Sequence, residues 1–178
     1  TYIPKDKFFL YRSVWNEDKP TLHVLPHWNW KGREGQNIPV HVYTSYPSAE
    51  LFVNGKSHGV RNRSKEPETD RFCLIWDDVT YRPGELKVIA YDENGAKAMT
   101  RTVRTAEKAT ALRLTPDKDI MDADGEDLCF INVSVTDDNG NPVPNDDRLI
   151  NVKVSGAGSF KGMANGSPTC PEPFHKPQ

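Results

Sequence analysis

No apolar run in the 178-residue sequence approaches the roughly 20 residues that a membrane-spanning helix needs. Basic charge is not in excess either: 23 Lys and Arg against 25 Asp and Glu leave a formal charge of −2. With no concentrated Lys/Arg patch, neither nucleic acid nor an anionic membrane surface is expected as a partner. Cysteine is scarce, with Cys73, Cys129 and Cys170 odd in number and far apart. Cys73 and Cys129 fall inside apolar strand patterns, where a reduced cysteine behaves as a small hydrophobe, so no disulfide within the chain is expected. The five histidines offer no zinc-like ligand set. His23 and His27 are four apart, but Pro26 between them forbids the helix that would align them. No metal or cofactor is expected. The opening Thr1-Tyr2-Ile3-Pro4 does not read as a signal peptide.

What is present favours β-structure. Hydrophobic content of 36%, with 14 prolines and 12 glycines, suits short strands and many turns. The length exceeds one immunoglobulin-like sandwich of roughly 100 residues and falls short of two. The expected fold is therefore all-β: two immunoglobulin-like β-sandwich modules in tandem, the second lacking its C-terminal strands, preceded by a short helix. The expected boundaries are 1–18 for the helix and linker, 19–106 for the first sandwich and 107–178 for the second.

Residues 1–18 hold the only helical pattern. Pro4 suits a first helical position, Phe8, Tyr11 and Trp15 follow at spacings of three and four with Val14 alongside, and Asn16-Glu17-Asp18 then Pro20 end the pattern. Burying those four side chains would contribute about 6–12 kcal/mol before entropy losses, so the stripe needs something to pack on. It can be a tail docked on the first sandwich, a helix belonging to a preceding domain, or both.

From Leu22 the period becomes two. In Ile38–Ser45, Val40, Val42 and Thr44 share one face and His41 and Tyr43 the other. Ala49–Val53 alternates again, and Asn54-Gly55 is the strongest hairpin turn in the sequence. After a charged loop from Arg61 to Arg71, which includes Pro67, come Phe72, Leu74 and Trp76 on one face. Pro83-Gly84 leads into Leu86–Tyr91, and Asp92–Gly95 into a strand at Lys97–Thr105. That makes about seven strands in about 90 residues, the density of an immunoglobulin-like sandwich, with Trp76 a core residue.

A second pass begins after Glu107-Lys108. Leu112 and Leu114 read as a first strand, and Cys129, Ile131, Val133 and Val135 as the clearest strand of the chain. Ile150, Val152 and Val154 read as another, and Phe160 as the anchor of a short one before Asn165-Gly166. The final SPTCPEPFHKPQ carries no strand signal. Four or five strands cannot close a sandwich, so exposed sheet edges and self-association are expected, through those edges or through residues 1–18. The acidic turn Asp122–Asp127 lacks the spaced bidentate Glu of a calcium loop and reads as a solvated hairpin end.

Chemistry is thinly represented. Glycoside hydrolysis needs two carboxyl groups about 5–5.5 or 6.5–9.5 Å apart in a cleft that perturbs one of them, and the acids here sit in turns and charged loops. No Gly-x-Ser-x-Gly, P-loop or dinucleotide fingerprint occurs. Sugar contact is different: aromatic faces stack on pyranose C–H faces while amides and imidazoles satisfy hydroxyls. His27, Trp28, Asn29 and Trp30, between Pro26 and Gly32, supply those groups. A tryptophan pair of this kind serves equally as a hydrophobic plug, and spacing alone does not separate the two.

The segments PKDKFFLYRSVW, LHVLPHWNWKGREGQNIPVHVYTSYPSAELFVNGKSHG, YRPGELKVIAYDENG and ATALRLTPDKDIMDADGEDLCFINVSVTDDNGNPVP resemble the region after the catalytic barrel of family-2 glycoside hydrolases. The similarity is to the β-galactosidase-like branch of gut Bacteroidetes and extends through GSFKGMANG. It implies a parent enzyme whose (β/α)8 barrel carries both catalytic glutamates upstream of Thr1, with no catalytic residue in this stretch. It also implies that residues 4–15 match the barrel's last helix, and that relatives continue past CPEPFHKPQ into strands completing the second sandwich. A residue just beyond the barrel can close one side of the galactose pocket in that family. By resemblance, Trp28 or Trp30 is that wall, supported by His27 and Asn29, with the barrel and a β-galactoside as partners. A periplasmic or extracellular location follows the same way. The competing expectations are an autonomous carbohydrate-binding module and an adhesive surface repeat.

Overall fold

The computed structural model describes residues 4–64 and 72–165. Residues 4–146 form one compact unit, and residues from 147 on belong to a second. The charged loop from 65 on, Cys170 and the Pro-rich segment after 165 lie outside the described residues.

The chain opens with α1 (Asp6–Trp15), capped by extended residues at Lys5 and Asn16. Pro4 therefore precedes the helix and does not occupy its first position. Seven strands follow: β1 (Leu22–Leu25), β2 (Val40–Thr44), β3 (Ser48–Val53), β4 (Lys56–Asn62), β5 (Leu74–Trp76), β6 (Glu85–Tyr91) and β7 (Lys97–Arg104). They form two antiparallel sheets, β1-β2-β5 and β4-β3-β6-β7. β4 extends into the stretch that reads as loop, because its edge pairs with β3 as far as Ser48 opposite Asn62.

Alternation decides which side chains meet. Leu22, Val24, Val40, Val42, Leu74 and Trp76 from one sheet face Ala49, Leu51, Val53, Leu86, Val88 and Ala90 from the other, and all are buried. Trp76 is fully enclosed, its indole N–H donating to the Gly59 carbonyl at 3.2 Å. The β3–β4 turn places Asn54 and Gly55 at φ 49° and 81°, the left-handed pair that a two-residue hairpin requires. Asn54 also braces the next turn, since its Oδ1 accepts from the Glu85 N–H at 2.7 Å and its Nδ2 donates to the Pro83 carbonyl at 3.1 Å. Gly84, at φ 131°, fits against it because it has no Cβ: one placed there would lie 2.1 Å from Asn54 Oδ1.

α1 packs on the outer face of β1 and β2, with the face opposite to the expected stripe. Phe9 stacks on His23 at 4.0 Å, His23 Nε2 meets Asp6 Oδ1 at 2.7 Å, and Arg12 Nε donates to Thr21 Oγ1 at 2.9 Å. Ser13 is buried, whereas Phe8, Tyr11 and Trp15 stay exposed, Trp15 to 74%. The sheet supplies aromatic and polar partners on His23 and Thr21, and these select the mixed face of the helix.

The remaining strands are β8 (Ala111–Pro116) and β9 (Ile131–Thr136), an isolated antiparallel pair. β9 starts two residues later than the alternation from Cys129 indicates. Register puts Leu112, Leu114 and Pro116 opposite Val135, Val133 and Ile131 on one face. No second sheet covers that face among the described residues, and Leu114 is 61% exposed. The expected strands at Ile150–Val154 and Phe160 do not form. Alternation supplies a face but no hydrogen-bonding partner, and Leu149, Val152 and Val154 remain exposed.

Candidate functional site

Between β1 and β2 the chain leaves the sheet at a cis Leu25–Pro26 bond and runs through residues 26–36 as an irregular loop. Trp28 anchors it. Of the two roles open to it from the sequence, sugar wall or hydrophobic plug, the packing fits the second: its side chain is 0% exposed and packs edge-on against Tyr81 with ring centroids 5.1 Å apart. Its Nε1–H donates to the Arg82 carbonyl at 3.0 Å, and its own carbonyl accepts from Thr105 Oγ1 at 2.5 Å. The cause is position: just past β1, the ring drops between the sheets and closes the end of the core. Trp28 is a plug.

Asn29 is spent on structure too. Its Oδ1 accepts from the Ala106 N–H at 2.6 Å, and its carbonyl accepts from Asn145 Nδ2 at 3.4 Å. Tyr81 supports the next residue, its hydroxyl accepting from the Trp30 N–H at 3.2 Å. Two backbone pairs, Gly35 N–H to Tyr81 O and Tyr81 N–H to Gln36 O, close the loop's far side.

Of the four residues singled out from the sequence, His27 and Trp30 remain near the surface. Their rings stack 4.5 Å apart at 25°, and the Arg33 guanidinium lies over the Trp30 ring at 5.1 Å. His27 Nδ1 accepts from the Asn29 N–H at 3.2 Å, and partial burial holds the imidazole below its ordinary pKa, which favours the neutral ring at pH 7. Arg33 Nε donates to Gln36 Oε1 at 3.0 Å. Sequence reasoning missed Arg33, Tyr81 and Thr105. Arg33 was within reach, three residues beyond Trp30 in a Gly-flanked turn; Tyr81 and Thr105 are distant in sequence and carry no local signal.

A concavity of about 500 Å³ is open to solvent and lined by Glu85, Arg104, Thr105, Glu107, Asn139 and Asn141. Beside it Asp137, 2% exposed, accepts from the N–H groups of Glu107, Asn139 and Asn141 and from Asn141 Nδ2. These bonds, the Asn141 side chain foremost, hold the carboxyl below the usual carboxylate range. Together with Asn29 and Asn145, Asp137 fastens the β8–β9 pair to the aromatic loop.

The acidic turn bonds largely within itself and to its flank. Asp127 pairs with Lys118 and accepts from the Asp122 N–H, while Asp124 accepts from Glu126 and Asp127 N–H groups. Among the described residues no group of three or more His, Cys, Asp or Glu is arranged to hold a metal ion. Cys129 is a free thiol, and Cys73 Sγ lies 3.6 Å from His41 Nδ1. No helix among the described residues is long and apolar enough to cross a membrane.

Comparison with known proteins gives two adjoining family matches: a domain of unknown function (DUF4982) over residues 35–99 and glycoside hydrolase family 2 C-terminal domain 5 over residues 112–178. Over 173 residues the chain is 44% identical to a β-galactosidase, BoGH2A, of Bacteroides ovatus, covering 97% of this chain and 19% of that protein. It is 28% identical to a β-glucuronidase of Formosa agariphila over 92% of this chain and 16% of that one. Among solved structures, a β-glycosidase from Bacteroides vulgatus superposes with a TM-score of 0.70 at 37% identity, over 80% of this chain and 17% of that chain. The chain thus spans less than a fifth of these relatives.

Proposed function

The chain being a C-terminal accessory region of a family-2 glycoside hydrolase, we propose that it works without catalytic residues of its own, buttressing the barrel that carries them. The observation behind this reading is the two-faced helix. Phe9, Arg12 and Ser13 bind α1 to the sandwich, while Tyr11 and Trp15, stacked 4.8 Å apart, stand bare beside Phe8. Burying such side chains contributes about 1.5–3 kcal/mol each, a gain the chain leaves untaken and a barrel would take. On this reading residues 4–15 belong to the barrel's last helix. The sandwich is an immunoglobulin-like module, a reading supported by its three-plus-four strand order, and residues 107–178 are read as a second, incomplete one, with β8 and β9 as its described strands.

The finer part of the reading gives His27 and Trp30 to the barrel's sugar pocket as an aromatic wall, with Asn29 holding the loop and Trp28 the core beneath. A β-galactoside is the favoured substrate of the parent, since the β-galactosidase relative stands at 44% identity against 28% for the β-glucuronidase. A periplasmic or extracellular location accords with the Bacteroides relatives.

Two measurements test this. The chain alone should not hydrolyse nitrophenyl β-galactoside or β-glucuronide; turnover above a mock purification sinks the non-catalytic reading. Grafted in place of the matching stretch of the Bacteroides ovatus enzyme, the chain should support activity. The same graft with Tyr11→Asp and Trp15→Asp should melt earlier, and an unchanged melting temperature counts against the buttress. The rival reading, an autonomous carbohydrate-binding module, requires submillimolar calorimetric affinity for galactose, lactose or galactan with no barrel present.

A further inference from the structure

Trp30 carries an anomaly that its neighbours do not share. Its Nε1–H is buried with no hydrogen-bond partner among the described residues, whereas the indoles of Trp28 and Trp76 both reach backbone carbonyls. Leaving a buried donor unmet costs about 1–3 kcal/mol, so the orphan calls for an explanation outside the packing of the sandwich. Over the same ring lies Arg33, whose Nε bonds to Gln36 Oε1 and whose guanidinium makes no ion pair with a carboxylate among the described residues. The nearest acid in sequence, Glu34, turns its Oε1 to the Gly32 N–H at 3.2 Å. Lys31 is exposed on the same turn. Two acceptors of the loop are engaged elsewhere: Asn29 Oδ1 on the Ala106 N–H, and His27 Nδ1 on the Asn29 N–H. The stack is thus rich in donors and poor in acceptors, and its complement is a group that only accepts.

We propose that Trp30 and Arg33 form a seat for an anionic substituent, a carboxylate or a sulfate, carried by a saccharide at this loop. Arg33 swings from Gln36 to pair with the anion, and the unpartnered indole N–H of the ring beneath it is the second donor. A guanidinium presents a planar fork that matches either group, and a charge-assisted bond outweighs the neutral one it replaces. The depressed pKa of His27 keeps a third charge out of the stack and leaves selection to Arg33. The proposal deepens the reading of this loop as a sugar-facing wall and rests on it.

The test uses the 15N-labelled chain. Its four tryptophans give four indole cross-peaks, and Trp30→Phe assigns one of them. Sodium glucuronate or galactose 6-sulfate should move the Trp30 peak saturably, about fivefold further than galactose at equal concentration, and Arg33→Gln should remove that excess while sparing the galactose response. A response to glucuronate alone assigns the seat to a carboxylate, and to the sulfated sugar alone, to a sulfate. Equal shifts with galactose and the anions overturn the seat but leave the sugar-facing wall standing. An unaltered anion response in Arg33→Gln overturns the seat, as does an equal saturable shift with sodium sulfate, which would mean an adventitious ion only. If no sugar moves the Trp30 peak, the seat is overturned, while the wall, which works only with the barrel, is judged by the grafted enzyme.

Discussion

The first sandwich and the β8–β9 pair are written in the same alternating code yet differ in what becomes of their apolar faces. In the first, two sheets present Val40, Val42, Leu51, Leu86 and Val88 to one another, and each is fully buried. In the second, Leu112, Leu114, Ile131, Val133 and Val135 share one face of a two-stranded ribbon, and Leu112, Leu114 and Ile131 remain exposed. Alternation sorts side chains onto faces, but stability needs a second layer to lay those faces against. The first region carries its own second layer. The other is held at one end, by Asp137 and Asn145, to the sandwich that already has one.

The largest expected effect breaks the comparison at its strongest point. Trp28→Ala empties the plug between the sheets and should cost about 3–5 kcal/mol in urea unfolding followed by tryptophan fluorescence. Leu114→Ala in the ribbon should cost less than about 0.5 kcal/mol, because its side chain is 61% exposed. Equal losses would mean that the ribbon is covered in solution. Next in size is Gly84→Ala. The added Cβ meets Asn54 Oδ1 at 2.1 Å and φ is 131°, so about 1–3 kcal/mol of strain and a loosened β3–β4 turn are expected. Asn54→Gly in the same background should recover part of the loss, read by the same denaturation.

Acid should then separate the two regions. Asp137, Asp127 and Asp124 all lie in or beside the ribbon, and each is held below the usual carboxylate range. The Asn141 side chain does this for Asp137, Lys118 for Asp127, and the Asp127 and Glu126 N–H groups for Asp124. A depressed folded pKa contributes stability that is complete above the unfolded value, near 3.9, and is lost as pH falls through the folded value. Amide cross-peaks of residues 111–116 and 131–136 should therefore collapse from about pH 4 downward while those of β3 and β6 persist. Simultaneous loss would show that one cooperative unit spans both regions. Asp137→Asn should reproduce the acid effect on the ribbon at pH 7.

Much of the first sandwich was legible because its signals are local. Strand alternation from Val40 to Thr44, the Asn54-Gly55 turn and the Trp76 face need only neighbours in sequence, and all three stand in the structure. Failures came where a distant partner decides. Trp28 and Trp30 are two residues apart and chemically alike, yet Tyr81, Arg82 and Thr105 draw one into the core while the other stays near the surface. The helix stripe at Phe8, Tyr11 and Trp15 was correctly read as apolar, but His23 and Thr21 chose the other face. Ile150–Val154 shows the limit from the opposite side: it has the alternation of β9 and, among the described residues, no strand beside it to accept the ladder.

The smallest expected effect on stability bears on what the bare face does in solution. Replacing Leu112 and Leu114 by Lys adds charge where neither side chain is buried, so unfolding free energy should change by less than about 0.5 kcal/mol. If the face is a contact between copies of the chain, as its exposed Leu112, Leu114 and Ile131 suggest, the same substitutions should abolish concentration-dependent mass in light scattering. Two lysines on each copy would have to be desolvated or brought close to like charge for the faces to meet. Tyr11→Asp with Trp15→Asp is the matched control, since the helix offers the other route to association. Loss of association only with the helix pair would assign the contact to α1. Wild-type chain that stays monomeric throughout would mean that neither face draws copies together, and the difference between the two regions would then be one of layers alone.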